Sequence, residues 1–181
     1  MTEEQLLQGC LHRDPAAELR FFERFSGIAM AICKRYMPDA AQAQDMHQDG
    51  FMRCYRSLKN YRAEGSLEGW VRRVFVSTCL DALRLKRRAR AFEQDLGEAA
   101  EVAAPADNAF LLAADATYLL EAIASLPEGA RIVFNLYAVE GFTHAEVANN
   151  LGITESTSRA HLTRARALLK SRLAPYLPQS I

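Results

Sequence analysis

Apolar side chains recur every three or four residues along most of this chain, and the runs are bounded by capping residues, prolines and glycines. That period predicts helices almost throughout. Asp14 followed by Pro15 is a cap and a first-turn proline, opening a helix to about Met37 with Leu19, Phe22, Phe25, Ala29 and Cys33 on one side; Pro38 ends it. Asp39 with Gln42 opens a second, to about Asn60, with Met46, Phe51, Cys54, Tyr55 and Leu58 as core positions. After a short loop over residues 61–66, Ser66 caps a third long helix carrying Leu67, Trp70, Val71, Val74, Phe75 and Leu83, which runs out in the basic stretch 83–92. Residues 93–108 are rich in Ala, Glu and Asp and lack an apolar period, which predicts a flexible acidic linker. Helices resume at about 109–124 and 127–139, the latter opened by Ser125, Pro127 and Glu128 as cap, first-turn proline and capping partner. No strand pattern competes with the helical one. The expectation is an all-α fold of two small helical domains, residues 1–92 and 109–181, joined by the linker 93–108.

The sharpest local pattern lies at residues 143–170. Thr143 with Glu146 is a capping box, Val147 and Leu151 fall on one face, and Ala148 is small enough for a close helix crossing. Gly152 sits where the helix must stop, since glycine enters the left-handed region without steric cost. Ile153 plugs the turn and Thr154 caps the next helix, in which Ser158, Leu162, Ala165 and Leu169 define one buried stripe. The opposite side carries Ser156, Ala160, Thr163 and Ala167, flanked by Arg159, Arg164, Arg166 and Lys170. Small residues let a helix approach base edges, and arginines fork onto guanine or grip phosphates. This is the pattern of a helix-turn-helix that reads duplex DNA.

Composition narrows the field. The 181 residues include no apolar run approaching the roughly 20 needed to span a bilayer, and the N-terminus lacks the regions of a signal peptide, so a cytoplasmic protein without membrane insertion is expected. Cys10, Cys33, Cys54 and Cys79 form no CxxC pair and read as buried small hydrophobes; His12, His47, His144 and His161 show no ligand spacing. No metal, no cofactor and no enzymatic activity are expected, since no catalytic motif appears. A net charge of zero conceals alternating blocks: −3 over residues 1–52, +8 over 53–92, −8 over 93–130 and +3 over 131–181. Two basic blocks split by an acidic one point to two nucleic-acid-facing surfaces.

With these residues in place, the chain resembles the extracytoplasmic-function group of bacterial sigma-70 factors from about Phe21 to Lys170. The most specific match is Leu126-Pro127 with Glu140-Gly141-Phe142-Thr143, then Glu146, Ala148, Leu151, Gly152, Thr157, Arg164, Ala165 and Arg166, which follows the family's −35 module. The first domain is similar to the family's region 2: Asp45, Gln48, Asp49 and Phe51 match the pattern that docks on core RNA polymerase, although acidic residues on a helix also read as a solvated face. Gly50, within that pattern, costs about 1 kcal/mol relative to alanine in a helix interior. Tyr61, Arg62, Trp70, Arg73 and Ser77 fall where the family captures unstacked −10 bases; Asp81 matches too, while Ser77 stands where many members carry asparagine. Tyr55, Tyr61 and Trp70 supply aromatic faces for splayed bases, and the spacing of Trp70 to Val74 equally fits a buried stripe.

The resemblance implies a dissociable initiation subunit. It would bind core RNA polymerase through the first domain and promoter DNA at two elements, reading −35 with Ser156, Thr157, Arg159, Ala160, Thr163, Arg164 and Arg166. Arg164 is expected early in the recognition helix. An anti-sigma factor is an implied partner, and the acidic linker fits both threading through the RNA path of polymerase and a plain tether. Two other readings remain open: a stand-alone helix-turn-helix regulator with a helical sensor domain, and an adaptor or antagonist that mimics a sigma factor.

Overall fold

The computed structural model describes residues 1–91 and 116–174, and the chain divides into two compact units, Met1–Glu93 and Gln94–Ile181. The expected linker over 93–108 and the first residues of the helix expected from 109 lie outside the described residues.

In the first unit, α1 (Glu3–Leu11) opens with a capping box between Thr2 and Gln5, a signal visible in the sequence but not read there. Asp14 accepts a hydrogen bond from Ala16 N–H and Pro15 fills the first turn of α2 (Pro15–Tyr36). Asp39 caps α3 (Ala40–Ser57) through Gln42 N–H, and a tight turn at Leu58–Asn60 comes next. Ser66 Oγ accepts from Gly69 N–H at the start of α4 (Leu67–Ala91). Helices α2, α3 and α4 pack on one another, and α1 covers α2 with Leu6 and Cys10.

The buried stripe of α2 runs through Ala17, Phe21, Phe25, Ala29, Ile32, Cys33 and Tyr36. Leu19 and Phe22, expected inside, are 57% and 40% exposed. Leu19 is two residues from Ala17 and Phe21, half a turn away from the line those residues define. Phe22 lies at the rim, its ring 4.7 Å from that of Phe51. All four cysteines are buried, as read. Gly50 is explained by a close approach: a methyl at its Cα would overlap the ring of Phe75, so this α4 side chain packs directly on the α3 backbone.

In the second unit, α5 (Ala116–Ala124) leads into α6 (Glu128–Phe134), which continues as a wider turn at Asn135–Val139. Pro127 occupies the N-cap position and not the first turn, and Ser125 does not cap: its hydroxyl donates to Ala122 O and accepts from Arg172. Buried Arg131 closes the preceding helix instead, donating to Leu126 O at 3.0 Å and Ala124 O at 3.4 Å. Helices α7 (His144–Leu151) and α8 (Glu155–Leu173) complete the unit. Among the described residues every regular element is helical, and no helix is long and apolar enough to cross a membrane.

Candidate nucleic-acid interface

The turn between α7 and α8 is fixed by local hydrogen bonds. Thr143 Oγ1 accepts from Glu146 N–H at 3.2 Å while the Glu146 carboxylate accepts from Thr143 N–H and Oγ1 at 2.8 Å, and those bonds hold that carboxyl below its ordinary pKa. Gly152 takes φ 66°, its N–H returning to Ala148 O, and Thr154 Oγ1 accepts from Thr157 N–H at 3.1 Å. Five residues of α8, Ser158, Leu162, Ala165, Leu169 and Leu173, are buried, which fixes the face left outside.

That outer face carries Ser156, Ala160, Thr163 and Ala167, with Ala160 and Thr163 half-buried. By helical spacing Arg159 and Arg166, two turns apart, flank one side of it and Arg164 the other. Arg159 forms an ion pair with Glu155 at 2.6 Å. Arg164 is exposed, but it stands at the middle of Glu155–Leu173 and not in its first turns, because the helix starts directly after the Thr154 cap. The hydroxyls of Ser156 and Thr157 each sit 2.8 Å from Thr154 Oγ1.

Two residues that sequence reasoning did not assign adjoin this face. Tyr137 stacks on His144 with ring centres 4.2 Å apart and planes at 23°, and the Arg166 guanidinium carbon lies 5.9 Å from the Tyr137 ring centre. Burial first, then Arg159 and Arg166, push the His144 imidazole below its usual pKa, with Glu155 opposing. An open hollow of about 550 Å³ is lined here by Tyr137, Thr143, His144 and Arg159, among others. No sequence spacing marks the stack, because its members come from three elements.

In the first unit, the Tyr61 and Trp70 rings meet at 5.5 Å, and Tyr61 OH donates to Gly65 O at 3.1 Å. Trp70, Arg73 and Ser77 succeed one another at spacings of three and four on α4, hence on one face, with Trp70 and Ser77 half-buried and Arg73 exposed; Arg62 is exposed in the loop. Tyr55 is not part of this surface. Its hydroxyl donates to Glu18 O at 3.0 Å, its ring lies 5.6 Å from Phe21, and burial pushes its pKa up to about 12. Asp81 is ion-paired with Arg53 at 2.6 Å and Arg84 at 3.0 Å.

On α3, Asp45, Gln48 and Asp49 are exposed together. Phe51 is not with them: it is 4% exposed, its ring edge-on to those of Phe75 at 5.2 Å and His47 at 5.0 Å, so it holds the helix from within. The apolar residue on the outer face is Met52, 46% exposed, four residues from Gln48 and three from Asp49. That spacing was available in the sequence.

Both units have counterparts among known proteins. Residues 21–89 match the family profile Sigma-70 region 2, and residues 116–169 match Sigma-70, region 4. The chain is 24% identical over 187 residues to the ECF RNA polymerase sigma-E factor of Haemophilus influenzae, covering 98% of each. It is equally 24% identical over 188 residues to the RNA polymerase sigma-H factor of Pseudomonas aeruginosa, covering 98% of this chain and 97% of that protein. Among solved structures, the sigma factor RpoE of Bartonella quintana, in complex with the anti-sigma factor NepR, shares the fold with a TM-score of 0.52 at 17% identity, over 86% of this chain and 95% of that one.

Proposed function

The chain belongs to the extracytoplasmic-function group of the sigma-70 family and directs promoter-specific initiation by RNA polymerase; on that premise we propose which of its side chains do the work. The first unit, to about residue 92, docks on core polymerase through the exposed Asp45, Gln48 and Asp49, with Met52 as the apolar contact that Phe51 does not supply. The pair Tyr61 and Trp70, with Arg62, Arg73 and Ser77 around it, receives unstacked −10 bases: aromatic faces stack any base, and the basic residues track the backbone. The second unit sets α8 in the −35 major groove. Ser156, Thr157, Ala160 and Thr163 permit close approach to base edges, while Arg159, Arg164 and Arg166 contact guanine or phosphate. The protein contributes recognition and strand separation in the cytoplasm, and the polymerase performs the chemistry.

The observation that carries this reading is the co-occurrence, in family order, of an exposed face with Asp45, Gln48 and Asp49, an aromatic–basic helix face and a capped helix whose outer face is small residues between arginines. As Bartonella RpoE is held by NepR, an anti-sigma protein is the proposed regulator of this chain. No feature of the described residues favours the stand-alone regulator. Run-off transcription with core polymerase and promoter fragments from the encoding genome should give discrete products only when the chain is added. Tight, specific duplex binding by the free chain, with no run-off product, would replace this reading with the regulator.

A further inference from the structure

Beyond Phe134 the helix widens. Glu140 N–H donates to Asn135 O at 2.9 Å, a five-residue step, and Phe142 N–H donates to Leu136 O at 2.9 Å. Such a turn holds more residues than an α-helical one and rotates the residues beyond it about the axis. Asn135 and Leu136 stay buried, whereas Tyr137 emerges half-buried beside α8. There it meets the His144 imidazole at 4.2 Å and the Arg166 guanidinium carbon at 5.9 Å. His144 is itself anchored, since its Nδ1 lies 2.9 Å from the hydroxyl of Ser158, a fully buried residue of α8. The end of α6, the start of α7 and the body of α8 are thus tied together beneath one arginine.

Arg166 is half-buried, and an arginine that binds an anion gives up rotamer freedom unless its side chain is already held. An aromatic face attracts the flat side of a guanidinium and leaves its N–H edges directed away, where they can fork onto a phosphate. We propose that Tyr137, braced by His144, is a positioning residue for promoter binding that holds Arg166 with its N–H edge toward a phosphate of the −35 duplex. This inference rests on the initiation reading above. It adds two residues to the DNA-binding apparatus that make no base contact themselves.

The test uses the full chain assembled with core polymerase, on the promoter fragment from its own genome that yields the strongest run-off product. Affinity is measured across a salt series. Tyr137→Leu should weaken binding about 2- to 5-fold, the range of a partly exposed cation–π contact. It should also flatten the log–log salt dependence toward that of Arg166→Ala, which loses a slope of about 0.9 for one phosphate contact. Tyr137→Phe keeps the ring and should retain wild-type affinity and slope. In the Arg166→Ala background Tyr137→Leu should have no further effect, while in the Arg164→Ala background its loss should persist in full. His144→Ala, which removes the brace and spares the tyrosine, should show a smaller loss with the same dependence on Arg166. Run-off products with losses that add to that of Arg166→Ala, or that are equal for the Phe and Leu variants, overturn the platform and leave the initiation reading intact. A wild-type chain that yields no run-off product from any fragment overturns both.

Discussion

Phe51 and Asp49 are two residues apart on one helix and face opposite ways. Asp49 is exposed beside Asp45 and Gln48, while Phe51 packs among Phe21, Phe22, His47 and Phe75. Truncating Phe51 to alanine should therefore cost about 3 to 5 kcal/mol of stability, as for other large core residues. Asp45→Ala with Gln48→Ala should leave stability within about 0.5 kcal/mol of wild type and weaken assembly with core polymerase. Denaturant unfolding and a polymerase pull-down separate the two effects; an unchanged midpoint for Phe51→Ala, or retained assembly for the double variant, would refute the respective assignment. The family pattern joins these four residues as one motif and carries no information about which of them points inward. The helical period does: two residues correspond to roughly 200° of rotation, so Phe51 cannot share a face with Asp49. Gly50 was opaque for another reason, since its need is created by Phe75, distant in sequence.

Legibility at the scale of elements tracked locality. The caps at Asp14, Asp39, Thr143 and Thr154 and the left-handed Gly152 were readable because each is settled within a few residues. The buried stripe of α8 came from its period alone. The start of α6 was misread because Ser125 and Pro127 resemble a cap, whereas the Ser125 hydroxyl is engaged by Ala122 O and Arg172, and Arg131 donates to carbonyls at the end of the preceding helix. The widened turn at Asn135–Val139 leaves no local mark at all, and Tyr137 reaches its partners through it. For the recognition helix, an exposed arginine at mid-helix on the flank of a small-residue face predicts that Arg164→Ala weakens −35 binding by about 1 to 3 kcal/mol and relaxes specificity at one base pair. Holoenzyme binding to a panel of single-base −35 variants reads both; an unchanged base preference would move Arg164 to a phosphate-only role.

Across the whole molecule, zero net charge gave no hint of nucleic acid, and the alternation of blocks did. Arg73 and Arg164 belong to different compact units. Their substitution by alanine should accordingly reduce promoter affinity by amounts that sum within about 0.5 kcal/mol in the double variant, measured with holoenzyme. A coupling well above that would mean that the two units do not act on the promoter separately. Within the first unit α3 and α4 are closely joined, because the Phe75 ring of α4 lies against Gly50 of α3 with no space left for a Cβ. A close-packed contact of this kind has almost no slack. The face proposed to meet the polymerase, on α3, and the face proposed to meet the strand, on α4, therefore share one packed seam, so neither helix can shift there without displacing the other.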